Sequence, residues 1–249
     1  MAADLLVIVP TRGRPGNITR MIQAFDGTIA WADADLAVVY DADDPTRGEY
    51  QRIAEQAGVA GHGVWQVEVS DWQPMVRKLE DAADQLAAGY TAVGFMGDDH
   101  APRTVGWARA YLEALAELGT GVVFGDDLHR GQKLCTQWAM TTDIVAALGR
   151  MIPADVDHLY SDTSVMDLAR EAGCLRYLPN VVVEHMHYVV GKAPEDAGYQ
   201  RANSPEQYAN DGARYKRWKD TQMAADVAKV RKLRGVKGSA RRPAHGPLR

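Results

Sequence analysis

What the sequence lacks narrows it first. It has two cysteines, Cys135 and Cys174, and no CxxC pair. That is too few for a disulfide framework or a cysteine-ligated zinc site, and it fits a reducing compartment. The clean apolar run near the start covers only residues 5–9, far short of the roughly 18–20 residues that span a bilayer. No basic-then-apolar segment ends in a small-residue cleavage site, so no signal peptide is read and a cytoplasmic setting is expected. There is no internal repeat. Acids are missing altogether from residues 229–249, which hold eight Lys and Arg.

What is present is ordinary for a globular protein. The chain has 249 residues, 46% hydrophobic and 24% charged, which suits one large α/β domain or two small ones and excludes collagen-like, coiled-coil and wholly disordered chains. The net charge of −5 conceals a division. Outside residues 229–249 there are 20 basic against 33 acidic residues, a balance of −13, while the last segment carries +8.

Short apolar runs at 5–9, 36–40, 64–69, 91–96 and 121–124 read as buried strands. Candidate helices lie near 16–26, 48–57, 73–88 and 103–118. The helix at 73–88 stripes Met75, Val76, Leu79, Ala82, Ala83 and Leu86 on one face, with Asp71 as N-cap and Pro74 in the first turn. Strands alternating with helices imply parallel pairing, and open sheets of that kind bind ligands beyond the carboxyl ends of their strands. After about residue 125 the pattern changes. A strand at 132–140, short helices at 141–149 and 162–172, and a strand pair at 174–178 and 181–187 turning at Pro179-Asn180 are expected. Residues 205–234 read as helical, and the chain from Gly235 onward reads as a disordered basic tail.

The informative residues stand at the strand ends. The first strand runs into Pro10-Thr11-Arg12-Gly13-Arg14, the second into Asp41-Ala42-Asp43-Asp44, the fourth into Gly97-Asp98-Asp99-His100 and the fifth into Asp126-Asp127. Carboxylates crowded on one rim repel one another, and a divalent cation relieves that repulsion, with magnesium or manganese suited to hard oxygen donors. Arg12 and Arg14 on the same rim are placed to face phosphates. Any single Asp here is more often a turn or cap residue, and Asp126-Asp127 is read that way. Asp98-Asp99 is harder to explain so, because the pair abuts a buried apolar strand with no local counter-charge. His185 and His187 sit two apart in a candidate strand and share a face.

These pieces resemble the GT-A fold glycosyltransferases, most of all family 2 and its small bacterial or phage-encoded members. The resemblance rests on Val7-Ile8-Val9-Pro10-Thr11-Arg12, Asp41, Phe95-Met96-Gly97-Asp98-Asp99-His100, Tyr160-Ser161-Asp162 and Glu184-His185-Met186-His187. It implies an α/β fold with a mostly parallel central sheet flanked by helices. A GT-A domain would cover 1–200, a C-terminal helical extension 201–234 and a basic tail 235–249. It also implies an inverting, metal-dependent transfer of sugar from a nucleotide-diphosphate donor to a hydroxyl acceptor. Pro10, Thr11 and Arg12 would line the nucleotide pocket, Asp41 would bond base or ribose, Arg77 or Lys78 would lie near the nucleotide, and Asp98 would contact the ribose. Asp99, His185 and His187 would hold Mn2+ or Mg2+, with His100 as an alternative ligand. Asp162 would be the catalytic base, its pKa lowered by capping bonds and the helix dipole. An imidazole among the ligands leans the metal toward manganese.

Two rival classes share some of these features. A sugar-nucleotide nucleotidyltransferase would share the sheet and carboxylates, but Thr11-Arg12-Gly13-Arg14-Pro15-Gly16 is a poor Gly-rich phosphate loop. A nucleic-acid partner would have to bind through the basic tail, since the body is acidic. Trp138, Tyr188, Tyr199, Tyr215 and Trp218 are the aromatic candidates for stacking on an acceptor. Lys192 reads as a solvated surface cation.

Overall fold

A computed structural model describes residues 3–240. The chain runs β1 (Leu5–Pro10), α1 (Pro15–Asp26), β2 (Ala34–Asp41), α2 (Arg47–Val59), β3 (Val64–Val69), α3 (Met75–Leu86), β4 (Ala92–Phe95), β5 (His100–Pro102) and α4 (Trp107–Leu118). It continues through β6 (Val122–Asp126), β7 (Trp138–Thr141), α5 (Thr142–Leu148), α6 (Ser161–Ala172), β8 (Leu175–His185), α7 (Ala197–Ala202), α8 (Pro205–Thr221) and α9 (Met223–Ala240).

The sheet order is β3-β2-β1-β4-β7-β6-β8-β5. The first four strands pair in parallel, as the alternation of apolar runs with helices predicts. The sheet as a whole is mixed, however. β7 runs antiparallel to both β4 and β6, and β5 is antiparallel to β8. The stretch from β6 to β7 contains only a short 3-10 turn, and an antiparallel return needs no crossover helix. Two apolar layers flank the sheet. One gathers Ile18, Met21, Phe25, Trp107 and Leu115 from α1 and α4. The other gathers Leu79, Ile144, Val165, Leu168, Trp218 and Val230 from α3, α5, α6, α8 and α9.

Three expectations need correction. The pair at 174–178 and 181–187 is one strand, β8, lying parallel to β6. Its register jumps from Gly125 opposite Leu178 to Asp126 opposite Val182. Pro179 has no N–H to give a ladder and falls in the bulge rather than in a hairpin turn. The strand expected at 132–140 is confined to Trp138–Thr141, with a 3-10 turn at Gly131–Lys133. Asp71 does not cap α3, whose N-cap is Pro74 with no side-chain bond.

The basic segment is also less separate than its charge implies. α9 buries Val227 and Val230, and its backbone is helical to Ala240. Arg231 donates to the Glu171 carbonyl at 2.5 Å and Arg234 to the Ala172 carbonyl at 2.8 Å. Both satisfy orphan acceptors at the end of α6, where a cation also suits the helix dipole. Residues 241–249, the rest of the expected tail, lie outside the described residues. Among the described residues, no helix is long and apolar enough to cross a membrane.

Candidate active site

β1, β2, β4 and β8 deliver their polar ends to one side of the sheet, where a cleft of about 310 Å³ opens. Pro10, Thr11, Arg12, Lys78, Asp98, Asp99, His100, His185 and His187 all line it, and Arg14 joins them. Asp41 lies behind the wall, Arg77 points outward from α3 and is exposed, and Asp162 sits one residue past the lining Ser161. Helix phase thus puts Lys78, and not Arg77, in the wall of the cleft.

The N-terminal wall is charge-matched. Asp41 is fully buried and accepts from Lys78 Nζ at 2.6 Å, Arg12 Nη1 at 2.9 Å and the Gln73 amide at 2.9 Å. So placed, it holds two cations at the back of the wall. Lys78 also donates to the Thr11 carbonyl at 3.2 Å, and burial pushes its ammonium below the usual range against the pull of Asp41. Arg12 reaches Asp43 at 2.6 Å. Asp98 accepts from the Thr11 hydroxyl at 2.7 Å and from Arg14 at 2.9 Å. The other edge of Arg14 grips Asp196 at 2.7 and 2.6 Å, and its guanidinium lies 4.2 Å from the centre of the Tyr199 ring. Arg14 thereby ties the segment around α7 to the strand ends, a pairing across 182 residues.

The opposite wall carries Asp99, His185 and His187, each with a ligand atom within 4.8 Å of the others'. Gly97 makes this possible. A Cβ there would stand 2.7 Å from Asp99 Oδ1 and 3.1 Å from His100 Nδ1, so with any other residue the Asp99 carboxylate would have to shift. His100 is occupied locally: its Nδ1 accepts the Gly97 amide at 3.1 Å, and its ring stacks on His185 at 4.2 Å. It braces the turn and lies outside the cluster of Asp99, His185 and His187. Asp99 Oδ2 accepts from Tyr199 at 2.6 Å and from His185 Nε2 at 3.2 Å. Tyr199 thus orients a carboxylate rather than offering a stacking face. Burial would raise the Asp99 pKa, but the His100 and His185 imidazoles hold it well below the usual carboxylate range. Burial and the neighbouring His185 push His187 down to about 4.

A divalent cation fits these residues. His185 Nδ1 is buried with no hydrogen-bond partner among the described residues, donor capacity that the protein itself leaves unused. Asp99 keeps its charge, His187 keeps its lone pair, and the mix of imidazole and carboxylate is one that first-row divalent metals accept.

At the start of α6, Asp162 Oδ1 accepts from its neighbour's amide, Thr163 N, at 2.6 Å and from Thr163 Oγ1 at 3.2 Å. Burial nevertheless raises its pKa, so the expected lowering by capping is overturned by desolvation. Asp127 fills the turn role read for it, accepting the amides of His129, Arg130 and Gly131 at 2.9, 2.6 and 2.8 Å. Lys192 is paired with Glu184 at 2.7 Å and does not line the cleft. Among the other aromatic candidates, Trp138 and Trp218 are core residues and Tyr215 packs on Tyr160.

No protein-family model matches the chain, and no curated protein matches it in sequence. Solved structures do match in shape. The mannosyltransferase PcManGT of Pyrobaculum calidifontis, in complex with GDP-Man and Mn2+, aligns with TM-score 0.62 at 16% identity, over 100% of this chain and 77% of that one. S. aureus TarS aligns with TM-score 0.58 at 14% identity over 74% of this chain, which spans only 36% of that TarS chain. A shorter TarS chain in complex with UDP-GlcNAc aligns with TM-score 0.58 at 13% identity, over 95% of this chain and 73% of that one. The chain has the GT-A fold of nucleotide-diphospho-sugar transferases.

Proposed function

We propose that the chain is a metal-dependent glycosyltransferase that moves a sugar from a nucleotide-diphosphate donor to a hydroxyl acceptor with inversion. The observation that carries this reading is the trio Asp99, His185 and His187 facing the buried Lys78 across one cleft at the carboxyl ends of a GT-A sheet. PcManGT with GDP-Man and Mn2+, and TarS with UDP-GlcNAc, lend it support as complexes of proteins with the same fold.

In this reading Pro10, Thr11, Arg12 and Asp98 receive the nucleoside, and Lys78 meets the diphosphate. Asp41 works through Arg12 and Lys78 by fixing where their charges stand. A divalent cation held by Asp99, His185 and His187, manganese more readily than magnesium, would supply Lewis-acid stabilisation of the departing diphosphate's charge. Asp162 takes the proton of the acceptor hydroxyl as its oxygen bonds to the anomeric carbon. The bond from that carbon to the diphosphate oxygen breaks on the opposite face, and the nucleoside diphosphate leaves with the electron pair. A carboxylate raised by burial is a stronger base than an exposed one, provided it remains ionised.

The test is a panel of UDP-GlcNAc, UDP-glucose and GDP-mannose, each with and without Mn2+. A donor-specific rise in melting temperature that needs the metal is expected, together with release of nucleoside diphosphate. Release of pyrophosphate from a sugar phosphate and a nucleotide would point to the nucleotidyltransferase instead. No shift with any donor would sink both.

A further inference from the structure

His158 lies on the loop between α5 and α6, and the fold grips that loop from several sides. The fully buried carboxylate of Asp211, on α8, accepts the backbone N–H groups of Asp157 at 2.9 Å, His158 at 3.0 Å and Leu159 at 2.8 Å. Gln207 donates to the same carboxylate at 2.7 Å. On the other side the Asp157 carbonyl accepts the Val76 amide of α3 at 3.0 Å. The His158 carbonyl accepts the Ser161 hydroxyl at 2.9 Å. Tyr160 takes a left-handed backbone conformation, φ 63°, with its ring stacked 5.2 Å from Tyr215 of α8. A tyrosine adopts that conformation only where its surroundings impose it.

The side chain of His158 contrasts with its backbone. The imidazole lines the cleft, and among the described residues nothing hydrogen-bonds either ring nitrogen. Burial pushes its pKa below the usual range; Asp211 and Asp99 oppose that, while Arg14 and Lys78 reinforce it. At neutral pH the ring therefore has one donor and one acceptor nitrogen. A neutral imidazole adds little against a diphosphate beside Lys78. It matches a hydroxyl, which also gives one hydrogen bond and takes another.

We propose that His158 hydrogen-bonds a hydroxyl of the transferred sugar and so helps decide which sugar the cleft accepts. This deepens the transferase reading and rests on it. A site built to bond a hydroxyl rejects a sugar that lacks one in the right place, because the protein group is then left unpaired.

The test uses the full chain with Mn2+. Donor hydrolysis is measured for UDP-GlcNAc, UDP-glucose and GDP-mannose, and the binding of UDP and GDP is measured by calorimetry. His158→Ala is expected to lower kcat/KM for the best donor about tenfold, the scale of one lost hydrogen bond. It should also narrow the preference among donors and leave the affinity for the nucleoside diphosphate within about twofold. His158→Gln, which can both donate and accept, should recover part of the loss. Equal losses in donor turnover and diphosphate binding would overturn the inference, and so would unchanged kcat/KM in His158→Ala. A wild-type chain that binds UDP or GDP yet turns over no donor would remove the transferase reading itself, and the inference with it.

Discussion

The two walls of the cleft are built on opposite principles. On the side of β1, β2 and α3, the buried carboxylates are matched: Asp41 by Lys78 and Arg12, Asp98 by Arg14, and Asp44 by the amides of Gly13 and Thr46. On the side of β8 and α6, polar groups are held in place but left short of partners. His185 keeps an unused ring nitrogen, His158 keeps two, and Asp162 is raised by burial rather than quenched by a cation. The first wall is fixed in charge and position before any ligand arrives, which suits recognition of an anion. The second keeps its chemical capacity for groups that come and go. In the proposed reading, satisfied polarity would position the diphosphate, and unsatisfied polarity would meet the metal, the sugar and the acceptor.

That contrast can be broken at both walls. The largest effect is expected from Asp99→Ala, which removes the carboxylate of the ligand trio. Donor turnover should fall about 10⁴-fold, the several kcal/mol a Lewis acid contributes, and the Mn2+-dependent rise in melting temperature should vanish. If that rise persists, the metal lies elsewhere. Asp162→Asn comes next, with about a 10³-fold loss in kcat and donor affinity largely kept. Its pH profile is the sharper readout. The base must be ionised, so turnover should rise with pH through a pKa above the usual carboxylate range, and that limb should disappear in the variant. A limb that survives assigns the base to another group.

On the first wall the expected loss is one of stability. Asp41→Ala leaves Lys78 buried without its ion partner, and removing one member of such a pair costs about 3 kcal/mol. A midpoint in denaturant matching wild type would mean that Lys78 finds another acceptor. Arg234→Ala is the smallest change, about 1 kcal/mol for a carbonyl at the end of α6 left to water. If it costs nothing, α9 is held by Val227, Val230 and its other polar contacts, those of Arg231 and Asp226.

How far these walls can be read from sequence follows the range of their contacts. β1 to β4 announce themselves as short apolar runs between helices. The residues just past them, Thr11, Asp98 and Asp99, mark a site because carboxylates against buried strands need a counter-charge. His185 and His187 are legible from a spacing of two. The roles of Asp41, Tyr199, Asp211 and His158 are not. Tyr199 meets Asp99 across 100 residues and Asp211 meets His158 across 53, and periodicity carries no information over such distances. Arg14 is recognisable as a rim cation, but its bond to Asp196 is not. β8 is misread as a hairpin because Pro179-Asn180 has turn chemistry, and only the pairing of Asp126 with Val182 shows a bulge. The raised pKa of Asp162 is hidden for a related reason: a capping motif is local, while burial belongs to the whole fold.

Gly97 brings a constraint of a different kind. Because a single added carbon there would press on both Asp99 and His100, position 97 would control the aim of the proposed metal ligands. Gly97→Ala should produce a folded chain whose acidic rim is chemically complete yet misaimed. That would separate possession of the ligands from their arrangement, and it would yield a metal-indifferent scaffold without removing a single coordinating atom.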